Sequence, residues 1–126
     1  MYTIELDRKT KFVFIEARGV ATIEELNMYK KDIMNIIDMY NQGELSFLIT
    51  VDRLDLLSQE ITVDAREILE LEIIHAKKMA IVYGNRTVFR MQTDRLVRES
   101  LLRINLDMEV RSFTNRQEAM RYLSYD

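Results

Sequence analysis

Short apolar segments of strand composition alternate with amphipathic helical segments along the whole chain, and this rhythm is what most restricts its fold. Two of the segments, Phe47-Leu48-Ile49-Thr50-Val51 and Met79-Ala80-Ile81-Val82-Tyr83, are apolar at almost every position. A strand of that kind has no face to offer to water. It belongs at the centre of a sheet, with helices on each side.

The remaining segments fit around these two. Tyr2, Ile4 and Leu6 alternate with polar residues, as in a half-buried strand, and residues 12–17 form a second β-rich run. The short polar stretch between them predicts an antiparallel hairpin, and Gly19 ends its second strand. Thr22-Ile23-Glu24-Glu25 is a capping box, in which side chains at both ends satisfy free N–H groups of the first turn. The helix it opens sets Leu26, Tyr29, Ile33, Ile36, Ile37 and Tyr40 on one face, and Gly43 is placed to be its C-terminal cap. Asp52, Arg53 and Asp55 turn into a helix from about Ser58, with Ile61, Ala65, Ile68 and Leu69 facing inward. Gly84-Asn85 follows the second central strand, and a third helix is predicted over 87–102. Leu106, Met108 and Val110 alternate as a last strand. Asn115-Arg116-Gln117-Glu118 then caps a short helix with Ala119, Tyr122 and Leu123 inside.

The order is β-β-α-β-α-β-α-β-α. Helices long enough for right-handed crossovers join the later strands, so those strands should run parallel. The expectation is one α/β domain over 1–126: a five-stranded mixed, mostly parallel sheet with an antiparallel N-terminal hairpin and four helices.

Composition removes several functions. The chain has no cysteine, which rules out disulfides and thiolate metal sites. With His75 as its one histidine it is poorly supplied for imidazole metal sites or a catalytic triad. Gly84-Asn85-Arg86-Thr87 lacks the glycines and lysine of a phosphate loop. No nucleophile–base pair assembles, so no catalytic residue, cofactor or metal is expected. The N-terminus has neither the basic nor the apolar region of a signal peptide, and no apolar run nears the ~20 residues of a membrane span. A cytoplasmic protein is expected.

Charge is uneven. Net charge is −3, yet residues 1–75 hold 8 basic and 15 acidic side chains while residues 76–126 hold 10 basic and 6 acidic. This polarity suits an anionic partner, or the acidic face of another copy, or a solvated surface on which the charges disperse. The arginines are not interleaved with an aromatic platform and the chain is acidic overall, so nucleic acid is not an expected partner.

The element order, together with Phe47-Leu48-Ile49-Thr50-Val51-Asp52 leading to Leu56-Leu57-Ser58, and with Met79-Ala80-Ile81-Val82-Tyr83-Gly84, resembles the STAS fold of anti-sigma factor antagonists. It is more similar to the small stand-alone bacterial proteins called SpoIIAA-like, which share features with CRAL-TRIO lipid-binding domains. In the antagonists a serine at the start of the helix after the third strand is phosphorylated by a partner kinase. The resemblance places that role on Ser58, although the stretch here reads Leu56-Leu57-Ser58-Gln59-Glu60 where the family has an Asp-Ser-Ser/Thr-Gly run.

Three candidate regions follow. Ser58 is either a helix cap or a phosphosite; a dianion at a helix N-terminus meets a favourable dipole. Asp52, Asp55, Gly84, Asn85 and Arg86 lie just after strand C-termini, where open α/β sheets hold ligands, or are simply turn residues. On the third helix, Val88, Met91 and Leu102 form a second apolar stripe flanked by Arg95 and Arg98, a possible interface with a protein partner or a homodimer. His75 reads as a packing or capping residue, and Met28, Met34 and Met39 read chiefly as core gap-fillers. The first expectation is a non-enzymatic interaction or regulatory module; the alternative is a carrier or sensor of a small apolar or lipid-like ligand.

Overall fold

A computed structural model describes residues 2–20, 22–55, 59–83, 87–104 and 109–125, and the side chains of all of these except 20, 52–55, 59 and 87–93. The elements are β1 (Tyr2–Asp7), β2 (Phe12–Val20), α1 (Ile23–Ile37), β3 (Leu45–Asp55), α2 (Gln59–His75), β4 (Ala76–Tyr83), α3 (Thr87–Ile104), β5 (Val110–Phe113) and α4 (Arg116–Ser124). They form one five-stranded sheet in the order β1-β2-β3-β4-β5. β1 pairs antiparallel with β2, Ile4 opposite Ile15, and every later pairing is parallel, with Val13 beside Phe47 and Phe47 beside Met79.

Strand order equals chain order. Successive crossovers of one hand, stepping in one direction, lay their helices on one face of the sheet. There Ile33 and Ile37 of α1, Leu69 and Ile73 of α2 and Val97 of α3 pack on Val13, Ile15, Leu45, Phe47, Ile49, Val51, Met79, Ile81 and Tyr83. Helix α4 follows the last strand and crosses to the other face. Its Ala119 and Leu123 rest on Phe12, Leu48, Ala80 and Val82. The two central strands are therefore covered on both sides, three helices against one. Phe47 and Leu48 point to opposite layers and both are 0 % exposed, which is why the run has no polar alternation.

Both capping boxes form at the N-cap. The Thr22 hydroxyl accepts from the Glu25 N–H at 3.2 Å, and Asn115 Oδ1 accepts from the Glu118 N–H at 2.9 Å. The Glu25 carboxylate meets the Thr22 hydroxyl at 3.5 Å. Gly43 is not the C-cap of α1: that residue is Asp38, and Gly43 lies farther along at φ +85. Its N–H donates to the His75 carbonyl at 3.0 Å, joining the loop after α1 to the end of α2. His75 itself sits at that helix end, its Nδ1 2.9 Å from the Leu71 carbonyl.

Two further differences stand out. The last strand is Val110–Phe113; Leu106 and Met108 lie outside the described residues. The methionines in and just after α1 are on the surface, not in the core: Met28 is 62 % exposed, Met34 42 % and Met39, past the C-cap, 54 %. At roughly 100° per residue, Ile33, Ile36 and Ile37 already fill the inward sector of that helix, which leaves Met28 and Met34 facing out.

Candidate functional site

The three candidate regions meet different outcomes. Ser58 lies outside the described residues, as do Gly84, Asn85 and Arg86. Asp52 and Asp55 close β3, where the backbone of Asp52 is beside Arg18 and that of Asp55 beside Val20, but their side chains are not among those described. The sheet adds a constraint of its own. A ligand crevice in an open α/β sheet opens where the strand order reverses, and the order here contains no reversal.

Helix α3 is better defined. Arg95, Arg98 and Leu102 are exposed, Leu102 to 76 %, while the side chains of Val88 and Met91 fall outside the description. Positions 91, 95, 98 and 102 fall within about 60° of one another around a helix, so the three described residues form one solvent-facing stripe. Its inner neighbours are tied down. Arg103 Nε of α3 is 3.3 Å from Glu70 Oε1 of α2, and Arg66 Nη1 of α2 is 3.9 Å from Glu99 Oε2 of α3. Arg95 Nε donates to Glu99 Oε1 at 3.0 Å, one turn along. Arg98 has no ion pair among the described residues.

Two features have no warning in the sequence. Glu72 of α2, spaced like an ordinary polar position, is 2 % exposed and accepts a hydrogen bond from the Tyr29 hydroxyl of α1 at 2.8 Å. Burial pushes its carboxyl up to about 8, against a smaller downward pull from Tyr29. Tyr29 also meets the ring of Tyr2 edge-on at 5.1 Å, and Tyr2 donates to Asp32 at 2.9 Å. The second feature is a group of cations, Lys78, Arg111 and Arg121, gathered around Tyr122 on the α4 side of the sheet. Lys78 and Arg111 are 33 positions apart in sequence, and only the β4–β5 pairing brings them together.

The described residues line two open clefts. One, of about 630 Å³, lies where α4 ends over the starts of β2, β3 and β4; Phe12, Met120 and Leu123 give it apolar wall, with Lys11, Glu44 and Lys77 around it. Lys11 Nζ is held by Glu44 Oε2 at 3.0 Å. The other, of about 400 Å³, holds the Tyr122 cluster. Among the described residues, no three or more histidine, aspartate or glutamate side chains are grouped to hold a metal ion, and no helix is long and apolar enough to cross a membrane.

Comparison with known proteins gives a fold. No model of a protein family matches the sequence, and no curated protein does. Among solved structures, the chain is similar to an uncharacterized protein from the DUF3478 family with a SpoIIAA-like fold, from Shewanella loihica PV-4. The two superpose with a TM-score of 0.73 over 97 % of this chain and 93 % of that one, at 18 % sequence identity. An identity that low speaks for the fold alone. With its antiparallel first hairpin, three parallel pairings and four helices, this chain has the SpoIIAA-like α/β fold.

Proposed function

We propose that this protein is a non-enzymatic interaction module of regulatory type, which docks an acidic surface of a partner protein through the outer stripe of α3. One observation carries the reading: Arg95, Arg98 and Leu102 stand together in solvent while the charged residues behind them are engaged in holding α3 to α2. Arginine is enriched at protein interfaces and their hot spots, the exposed leucine beside the two arginines adds apolar contact area, and the positive charge selects an acidic counterpart. The acidic excess of residues 1–75 makes a second copy of the chain one such counterpart. The SpoIIAA-like fold agrees with this reading, and so does the resemblance to the antagonists, under which Ser58 would be the switch.

The test is affinity capture with the wild type and with the Arg95→Glu/Arg98→Glu double variant, alongside sedimentation equilibrium of both. A partner, or a dimer, that is lost in the double variant supports the reading. Capture and self-association unchanged by the reversal would sink it. A phosphate mass increment on Ser58 in protein from cells, with capture altered in Ser58→Asp, would add the switch.

A carrier of a small apolar or lipid-like ligand is the second reading. The observation in its favour is the cleft of about 630 Å³ walled by Phe12, Met120 and Leu123, a volume suited to a small molecule. Native mass spectrometry of gently purified protein decides it. A retained small-molecule mass supports a carrier, and a clean apo mass removes it.

A further inference from the structure

The cations around Tyr122 stand on the opposite side of the sheet from α3 and take no part in the interface proposed above. Lys78 is two residues before Ala80 in β4, and Ala80 is paired with Arg111 in β5. Lys78 and Arg111 are thus diagonal neighbours on one face of the sheet. Their like charges repel across the strand pair, and Glu109, 2.8 Å from Arg111, offsets part of that repulsion. Arg121 of α4 lines the same cleft, and the one acid among the lining residues is Glu118.

The donors there are largely uncommitted. Lys78 Nζ gives one hydrogen bond to the Tyr122 carbonyl, at 3.2 Å, out of the three its ammonium carries. Arg111 is 2.8 Å from Glu109 through Nε, and its guanidinium lies over the Tyr122 ring. Arg121 has no ion pair among them. The Tyr122 hydroxyl has no hydrogen bond there either, and burial raises its pKa, so it stays a donor at neutral pH. The Tyr122 ring is itself held in place: Lys78 Nζ lies 5.1 Å and Arg111 Cζ 5.2 Å from its centroid, and the Phe113 ring is 5.5 Å away. Tyr125, 67 % exposed, closes the rim with a second aromatic face.

We propose that this cleft between α4 and the β4–β5 edge binds a small phosphate monoester, with Lys78, Arg111 and Arg121 around the phosphate and Tyr122 and Tyr125 against the organic group. A dianion suits three convergent cations better than a carboxylate does, and guanidinium forks match phosphate oxygens in geometry. The aromatic faces add contact area for the carbon-bearing part, in the manner of small-ligand sites lined by rings with a few polar groups. The volume of about 400 Å³ sets the ligand at small-molecule size.

Amide NMR titration of the whole chain with phenyl phosphate, inorganic phosphate and benzoate tests the site. Phenyl phosphate should give saturable shifts centred on Arg111, Ser112, Arg121 and Tyr122, and should bind several-fold tighter than benzoate. Arg121→Glu and Arg111→Gln should each weaken it by roughly two- to fivefold, with spectra that remain dispersed as evidence of folding. Lys31→Glu, on exposed α1 across the sheet, makes the same charge change as a reversal and should leave binding intact. No saturable shift up to about 10 mM, the weak end of small-anion binding, would overturn the site, as would equal loss in Lys31→Glu. Inorganic phosphate binding as tightly as phenyl phosphate would overturn the monoester assignment.

Discussion

The Tyr29 hydroxyl donates to Glu72 Oε2 at 2.8 Å across the contact between α1 and α2, and the acceptor is a carboxyl that the fold buries. Its pKa of about 8 in the folded chain compares with about 4.3 in an unfolded one. Between those values the folded state holds a proton that the unfolded state releases, so stability falls as pH rises through the interval and levels off above it. The loss is on the order of 1 kcal/mol per pH unit. The melting temperature of the wild type should therefore drop from pH 5 to pH 8. Glu72→Gln, which keeps the shape without the titration, should flatten the profile and melt higher at pH 8. A wild-type profile as flat as that of the variant would show that Glu72 reaches water.

The two N-caps act separately. Thr22→Ala and Asn115→Ala each remove one side-chain acceptor for a first-turn N–H, at a cost of about 1 kcal/mol each. The sites lie at the starts of α1 and α4 on different faces of the sheet, so the double variant should lose the sum. Urea denaturation of the three variants measures it, and a sum short by half would mean the caps communicate.

Gly43 isolates a backbone effect. A Cβ there meets nothing within 4 Å, yet φ is +85. Gly43→Ala should cost about 1 kcal/mol from left-handed strain alone. Gly43→Asn, whose side chain tolerates that region, should recover part of it. Equal stability of wild type and Gly43→Ala would mean that the loop changes conformation at little cost.

Helix α4 is held by a smaller layer than the other three. Leu123→Ala removes one of its two buried anchors and should cost about 2–4 kcal/mol. Hydrogen exchange should show the protection lost first in α4, while α1 and α2 keep theirs. Even deprotection across all helices would show instead that both layers unfold together.

What the sequence displayed and what it concealed divide along chain distance. The caps at Thr22 and Asn115, the inward face of α1 and the doubly apolar β3 and β4 are local patterns, readable within a turn or a strand. Parallel pairing followed from helix-length connections. Gly43 misled because a glycine after a helix signals a left-handed residue but not which residue ends the helix; Asp38 does so first. The α1 methionines misled because a flexible apolar side chain carries no sign of which sector the isoleucines have already filled. Glu72 was invisible for the same reason a charged residue on an amphipathic helix always is: its burial depends on α1, brought over it by the fold. The cluster at Tyr122 needed the register of β4 against β5, which no single segment encodes.

Strand order has a last consequence, for synthesis. Each strand pairs with the one translated just before it, so no sheet contact waits for a distant part of the chain. The longest loop closed by any pairing is one helix with its turns, and short closures are entropically cheap and kinetically fast. A nascent chain emerging from the ribosome can therefore lay down β1, β2 and β3 in turn, each new helix sealing the same side. The exception is α4, which seals the other side and is made only after all five strands. Until it docks, Phe12, Leu48, Ala80 and Val82 lack their α4 cover and form an apolar strip, so this nine-residue helix guards that side of the sheet against aggregation.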